Sequence, residues 1–355
     1  MLSRKFRPWH IVPFSLRYAK LRLLRRPVLV HFEVTMRCNA GCGFCDYWKT
    51  PAEEKARELK SFADAARHFA PMMVTFTGGE PLLRRDLEDI VAEVDRAVPH
   101  TWLSLITHGG MLSLERAQSL WDAGLAQFCI SLDYLDARHD DARKIPGLAE
   151  KILRTVPAMV ERGMTARFNT VIKNDNLASI LPIVRFAAEA GAGVNLSVYT
   201  DFKNGSDRHM LGAAHLADLD ALTRELLAFK RANRGVISNS DWYISQIPRW
   251  VRGELTEPCR SGETTIHIDP VGKVRRCPDF PSDDHWSTYR GYAPIACDRC
   301  YYACRGEAQA PLTITRFRDL FGSTGRPRSA AVPLAVPAGA SAGSPARETE
   351  RDAVA

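Results

Sequence analysis

Three cysteines, Cys38, Cys42 and Cys45, stand in a C-x3-C-x2-C spacing directly behind the apolar run 28–34. A loop that must bring three thiolates to one place leaves its chain little freedom, and soft sulfur donors suit iron in an iron–sulfur cluster. Three donors leave one iron of a [4Fe–4S] cube without a protein ligand, so the triad reads as a reactive site more than a structural staple. A zinc site asks for a fourth Cys or His close by, and Asp46, His10 and His31 are poor candidates. A disulfide framework implies an oxidising compartment, yet the chain shows no charged-then-apolar signal stretch and no apolar run long enough to cross a membrane. The expected setting is cytoplasmic. Nine cysteines is an odd number, and eight fall into two tight groups, which speaks for metal over pairwise bridges.

At 355 residues and 45% hydrophobic content the chain can bury one large domain plus a smaller one. From residue 28 to about 199, short apolar runs alternate with longer amphipathic stretches, the pattern of strand–helix units on a parallel sheet. Strands are expected at 28–35, 72–77, 102–107, 127–132, 167–172 and 194–199, and helices near 52–69, 85–98, 113–123, 147–162 and 176–190. Six such units make an incomplete (β/α) barrel, an α/β fold whose functional groups collect at the C-terminal strand ends. The second strand ends Thr77-Gly78-Gly79-Glu80-Pro81, where two glycines let the backbone approach a ligand closely and Glu80 offers an acceptor for an ammonium group. The third ends Thr107-His108-Gly109-Gly110. The fourth ends Ser131-Leu132-Asp133, followed by His139-Asp140 and Arg143, which suit hydroxyl diols and, through the guanidinium fork, a carboxylate. The lesser reading of Asp133 and Asp140 is as caps of turns and helix starts. Asn169 and Tyr199 belong to the ends of the fifth and sixth strands, and Cys129 reads as a small buried hydrophobe.

The loop Arg37-Cys38-Asn39-Ala40-Gly41-Cys42-Gly43-Phe44-Cys45, with an aromatic before its last cysteine, closely resembles the signature of the radical S-adenosylmethionine (SAM) enzymes. The resemblance runs from about residue 28 to 307. It implies a partial (β/α)6 barrel, a [4Fe–4S] cluster on Cys38, Cys42 and Cys45, and SAM chelated at the open iron. It assigns Thr77, Gly78, Gly79 and Glu80 to the methionine amino group and Ser131, Asp133 and Arg143 to the ribose and carboxylate. His108, Asn169 and Tyr199 complete the pocket, with relatives often carrying Asn where His108 stands. The implied chemistry is reductive cleavage of SAM to a 5′-deoxyadenosyl radical that abstracts hydrogen, fed by a one-electron reductant of flavodoxin or ferredoxin type.

Downstream, Cys259-x12-Gly272-x4-Cys277 frames a β-hairpin with arms 264–268 and 273–276 around the turn 269–272, and Cys297, Cys300 and Cys304 follow. This layout resembles the cysteine-rich twitch and SPASM extensions that carry auxiliary [4Fe–4S] clusters in part of the same family. The full SPASM pattern needs seven cysteines for two clusters and five are present here, so the resemblance implies one auxiliary cluster on four of them, first Cys259, Cys277, Cys297 and Cys300. A structural zinc ribbon stays open for these residues alone. A cluster with four protein thiolates cannot take substrate, and its role is to relay an electron away from a product radical, which favours oxidation or bond formation.

The division read from these features is a basic N-terminal segment 1–27, the barrel 28–235, an auxiliary-cluster domain 236–310 and a disordered tail 325–355 rich in Ala, Pro, Ser and Gly. The formal charge is +7, and Arg4, Lys5, Arg7, Arg17, Lys20, Arg22, Arg25 and Arg26 all precede the first acid, Glu33. Such a segment lies on an anionic membrane surface, meets an acidic partner, or forms a solvated first helix that packs its Leu16, Leu23 and Leu24 face on the barrel. The substrate expected is a peptide or small metabolite, with a lipid or polyprenyl substrate at the membrane surface as the alternative. A non-catalytic iron–sulfur sensor is the reading of another class. No nucleic-acid partner is expected.

Overall fold

The structure, a computed structural model, describes residues 11–49, 61–255, 257–291, 293, 295 and 297–311. The expectations for 1–10, for the start of the 52–69 helix and for the 325–355 tail lie outside the described residues.

In chain order the elements are α1 (Ile11–Leu23), β1 (Leu29–Thr35), α2 (Phe62–Phe69), β2 (Met73–Gly78), α3 (Leu87–Ala97), β3 (Trp102–Thr107), α4 (Leu114–Asp122), β4 (Gln127–Ser131), α5 (Ala137–Arg143), α6 (Leu148–Glu161), β5 (Ala166–Ile172), α7 (Leu177–Glu189) and β6 (Gly193–Val198). Then follow α8 (Leu216–Ala232), α9 (Asp241–Val251), β7 (Thr265–Ile268), β8 (Lys273–Cys277), β9 (Phe280–His285) and α10 (Ala303–Gln309). Strands β1 to β6 lie side by side in sequence order and are all parallel. Their alternation sets two faces. Val30, Phe32, Val74, Phe76, Leu103, Leu105, Phe128, Ile130 and Phe168 belong to the buried core, where Phe32 meets Phe62 of α2 edge-on at 5.2 Å. The intervening residues face the concave side, where Thr75 and Ser104 share a hydrogen bond of 2.8 Å.

Beyond β1 the sheet continues through β7, parallel to β1, and the antiparallel β8 and β9. The hairpin foreseen from sequence is the β7–β8 pair. In its turn Asp269 Oδ1 accepts from the Val271 and Lys273 amides (3.1 and 2.8 Å), while Gly272 takes a φ of 85°, open to a residue without Cβ. The pairing of β7 with β1, the third strand β9 and helices α5, α8, α9 and α10 were not foreseen. The nine-stranded sheet has β6 and β9 as its edges, so the barrel stays open. Side chains bridge the gap: Phe202 meets Phe280 edge-on at 6.1 Å, Arg299 pairs with Asp201 at 3.3 Å, and Thr200 Oγ1 lies 3.2 Å from the Tyr302 hydroxyl. Backbone just past residue 235 stays on the barrel edge, since the Val194 amide donates to the Val236 carbonyl at 2.7 Å.

Helix α1 lies across the N-terminal strand ends. Arg17 Nη2 donates to the Ala70 and Pro71 carbonyls (3.0 and 2.8 Å) and to Thr101 Oγ1 (3.2 Å), Phe14 packs on Trp102 and Ala126, and Arg22 pairs with Glu263 at 3.2 Å. The Leu16, Leu23 and Leu24 face expected against the barrel points outward instead, with these side chains 67%, 84% and 52% exposed. Carbonyls at the strand starts need donors; a guanidinium supplies them and a leucine cannot. No helix among the described residues is long and apolar enough to cross a membrane.

Candidate functional site

The cysteine loop leaves the C-terminal end of β1 and is fastened on every side. The Gly79 amide donates to the Thr35 carbonyl (2.7 Å) and the Glu80 amide to the Arg37 carbonyl (2.8 Å). A Cβ on Gly78 would stand 2.1 Å from the Thr35 carbonyl oxygen, and one on Gly79 2.1 Å from that of Arg37. The two glycines therefore permit close approach of the loop's own backbone. Asn39 Oδ1 lies 2.9 Å from His108 Nε2 at the end of β3, the Gly41 amide donates to the Arg143 carbonyl (3.0 Å), and Trp48 Nε1 donates to the Cys42 carbonyl (3.1 Å). Asn204, past β6, donates through Nδ2 to the Gly43 carbonyl at 2.7 Å.

So held, Cys38, Cys42 and Cys45 line one cavity of about 130 Å³ with Thr77, Gly78, Gly79, Glu80, His108, Ser131 and Arg143. Seven of the ten cofactor residues expected from sequence thus share a wall with the thiols. A neighbouring cavity of about 440 Å³ shares Phe44 and is lined by Tyr134, Arg138, Lys173 and His209 among others. Among the described residues no three His, Cys, Asp or Glu side chains close on a single ion; the thiols line a cavity instead, as donors to the separate irons of a cluster do. Burial pushes the Cys38 thiol up to about 11 and raises that of Cys42, the latter opposed by the Arg143 cation. These thiols stay protonated until a metal displaces the protons. The donor set, three soft sulfurs with the nearby carboxylates engaged elsewhere, fits an iron–sulfur cluster.

Glu80 is fully buried and already accepts three hydrogen bonds, from the Leu82 amide (3.0 Å), Thr107 Oγ1 (2.6 Å) and the His108 amide (2.9 Å). His108 accepts from the Gly110 amide through Nδ1 at 3.0 Å, which assigns its proton to Nε2, facing Asn39 and the Glu80 carboxylate. Burial lowers its pKa, so the ring is neutral.

Asp133 lies just behind the cavity wall. It accepts from Arg143 Nη2 (2.7 Å) and the Val171 amide (2.9 Å), and its own amide donates to His139 Nδ1 (3.2 Å). Burial alone would raise the Asp133 pKa, but Arg143 and the other neighbours bring it below the usual carboxylate range. Arg143 thus bridges Asp133 and the Cys42 sulfur (Nη1 to Sγ, 3.9 Å), and its buried Nε has no hydrogen-bond partner. Asn169 is the register partner of Ser131. The Tyr199 hydroxyl donates away from the cavity, its one proton to the Ser206 carbonyl (2.6 Å) with Asn204 Oδ1 also in reach (3.0 Å), so this side chain ties down the loop that holds Gly43.

The second cysteine group gathers where β8, the 297–300 stretch and α10 meet. The Cys259 amide donates to the Cys297 carbonyl (3.1 Å). Burial is the main cause that raises Cys277 and Cys300 to about 12, and Cys259 acts on both thiols. Cys304 feels Cys300, Cys277 and Cys259 in turn. All five thiols are free. Arg305, 1% exposed, donates to the Cys300 and Glu257 carbonyls and acts on Cys259. The sequence alone gave it no role.

Also missed is a polar network on the concave face between the two cysteine groups. The Tyr47 hydroxyl donates to Glu33 Oε1 (3.1 Å) and accepts from Lys203 Nζ (3.3 Å); His267 Nδ1 and Arg275 Nε lie 3.4 and 3.8 Å from the same carboxylate. The signal was available: Glu33, with His31, interrupts the apolar residues of the first strand, and Glu, Lys and Arg are rarely buried without a partner.

A family profile described as "Radical SAM superfamily" matches residues 32–187. A probable GTP 3′,8-cyclase of Thermoplasma volcanium is 30% identical over 271 residues, 72% of this chain and 81% of that one. An AdoMet-dependent heme synthase of Nitratidesulfovibrio vulgaris is 29% identical over 169 residues, 46% of each chain, so the chain spans about half of that relative's length. The crystal structure of Streptococcus suis SuiB bound to precursor peptide SuiA superposes with a TM-score of 0.58 at 16% identity, covering 90% of this chain and 75% of that one, a likeness of fold. With a cysteine loop at the mouth of an open parallel barrel, the chain belongs to the radical SAM superfamily. It is an enzyme of that superfamily, whose cofactors are a [4Fe–4S] cluster and SAM, and the sensor reading falls away.

Proposed function

We propose that Cys38, Cys42 and Cys45 hold the SAM-binding [4Fe–4S] cluster and that the enzyme removes a hydrogen atom from a peptide or small-metabolite substrate, in an oxidation or bond-forming modification. When bound, cluster and SAM supply the one-electron cleavage that yields a 5′-deoxyadenosyl radical. The observation that carries this reading is the shared wall of the three thiols with the ends of β2, β3 and β4. In it, Thr77, Gly78 and Gly79 offer backbone groups to the methionine end, and Glu80, which also has His108 Nε2 at 3.2 Å from its Oε2, brings its carboxylate to the same wall for the ammonium. Arg143 turns its unpartnered Nε toward a carboxylate and keeps positive charge beside Cys42. Ser131, Asn169 and the Asp133 position face the ribose, and the Phe44 cavity receives the adenine; Tyr199 acts through the loop it holds.

Four of Cys259, Cys277, Cys297, Cys300 and Cys304 bind one auxiliary cluster in the 236–310 extension of the 28–235 barrel, with Arg305 tuning its potential. A small metabolite is supported by the names of the cyclase and heme synthase relatives, a peptide by the SuiB–SuiA likeness of fold. The electron donor is of flavodoxin or ferredoxin type. A lipid substrate drawn directly from a membrane into the mouth is disfavoured, because the exposed apolar face of α1 lies at the opposite strand ends.

The test is anaerobic reconstitution with iron counting and an assay for 5′-deoxyadenosine. Cys38→Ala, Cys42→Ala and Cys45→Ala are each expected to abolish SAM cleavage while leaving the auxiliary iron; cleavage that survives in any of them refutes the assignment.

A further inference from the structure

We propose that α1 seats this enzyme on an anionic membrane surface, with the cysteine mouth turned toward water. The proposal stands apart from the radical chemistry. One side of α1 is committed to the barrel through Phe14, Arg17, Leu21 and Arg22. The other is apolar and exposed: Val12 66%, Leu16 67%, Leu23 84% and Leu24 52%. Val12, Leu16 and Leu23 are four and seven residues apart, which at 3.6 residues per turn sets them on a single stripe. A helix docked on a soluble domain ordinarily shows its polar side to solvent, and here large apolar residues stand on both sides, Phe14 and Leu21 against the barrel and Val12, Leu16 and Leu23 outside.

Charge selects the occupant. Lys20 and Arg25 are exposed beside the stripe, and residues 1–32 contain eight Lys and Arg, of which Arg17 and Arg22 are tied to the barrel, and no acid. A second copy docked stripe to stripe across a two-fold axis would bring these cations together with no acid of the segment to answer them. Anionic headgroups complement them, and the acyl boundary takes the leucines. At 13 residues α1 is about 20 Å long. It is too short for a hydrocarbon core of about 30 Å and therefore lies in the interface plane.

The strands fix the orientation. Arg17 bonds residues immediately before β2 and β3, whereas the cysteine loop follows the other end of β1. A seven-residue strand separates the two ends by about 20 Å. Substrate and reductant then arrive from the aqueous side while the opposite pole is held to lipid.

Full-length protein floated with phosphatidylcholine vesicles, with and without phosphatidylglycerol, tests this without cluster or SAM. We expect flotation only with phosphatidylglycerol and its weakening at high salt. Leu16→Ser/Leu23→Ser should abolish it, and Lys20→Gln/Arg25→Gln should reduce partitioning roughly five-fold per charge removed. These side chains are exposed, so the variants should keep wild-type circular dichroism and SAM cleavage. Absence of flotation by the wild type overturns the proposal. So does equal flotation by the leucine variant, as does a solution dimer that this variant dissolves, which would assign the stripe to a second copy.

Discussion

Replacing Gly79 by Ala adds one methyl group where the second strand end meets the cysteine loop. That Cβ would stand 2.1 Å from the Arg37 carbonyl oxygen and 2.6 Å from its carbon, both backbone atoms that no rotamer change can clear. The closest ordinary carbon–oxygen approach is about 3.3 Å, so the loop must withdraw by about 1 Å. Withdrawal stretches the Gly79-to-Thr35 and Glu80-to-Arg37 hydrogen bonds, each worth about 1 kcal/mol net, and moves Cys38, one residue after Arg37. A reacting group misplaced by about 1 Å loses on the order of 100-fold in rate. The assay is 5′-deoxyadenosine production under saturating reductant, alongside iron counting and circular dichroism. The expected outcome is a native fold with 5′-deoxyadenosine formation at or below about 1% of wild type. A Gly79→Ala protein with full iron and wild-type cleavage would refute the reasoning, since the loop would then not depend on backbone contact with β2.

Arg143→Gln should destabilise the fold by about 3–5 kcal/mol, because fully buried Asp133 loses its cation. Adding Asp133→Asn should restore most of the denaturation midpoint but not SAM cleavage, as Cys42 still lacks the charge beside it; an unchanged midpoint in the single variant counts against the buried pair. Burial, aided by the Arg143 charge, pushes His139 down to about 4 from an ordinary 6.5. Its stabilising contribution is therefore complete above pH 6.5 and declines as pH falls toward 4, by about 2 kcal/mol at pH 5. Urea midpoints compared at pH 7 and pH 5 should fall further in wild type than in His139→Gln, and parallel behaviour would show that the ring is not buried in its neutral form.

Much of this was legible in the chain because it depends on local pattern. Six strands fell within a residue or so of their observed ends, since each apolar run buried on a parallel sheet is bounded by turn residues. Seven of the ten cofactor residues expected from sequence line the thiol cavity, since groups at C-terminal strand ends share one mouth whatever the loops do. Other features lie between segments far apart in sequence. Tyr47, Lys203, Glu33, His267 and Arg275 come from five places, and only the addition of β7 and β8 beside β1 makes them neighbours. Gly78 and Gly79 were legible as sites of close approach, but that the approaching partner is the loop's own backbone required the register of β2 on β1. Helix α1 was legible as basic and apolar, while which side it buries goes with three carbonyl and hydroxyl acceptors at the strand starts to which Arg17 donates. Periodicity and ligand spacing thus determined the barrel and its thiol loop. Tertiary structure decided which polar groups meet and which leucines stay outside, because those outcomes turn on satisfying buried donors and acceptors contributed by distant parts of the chain.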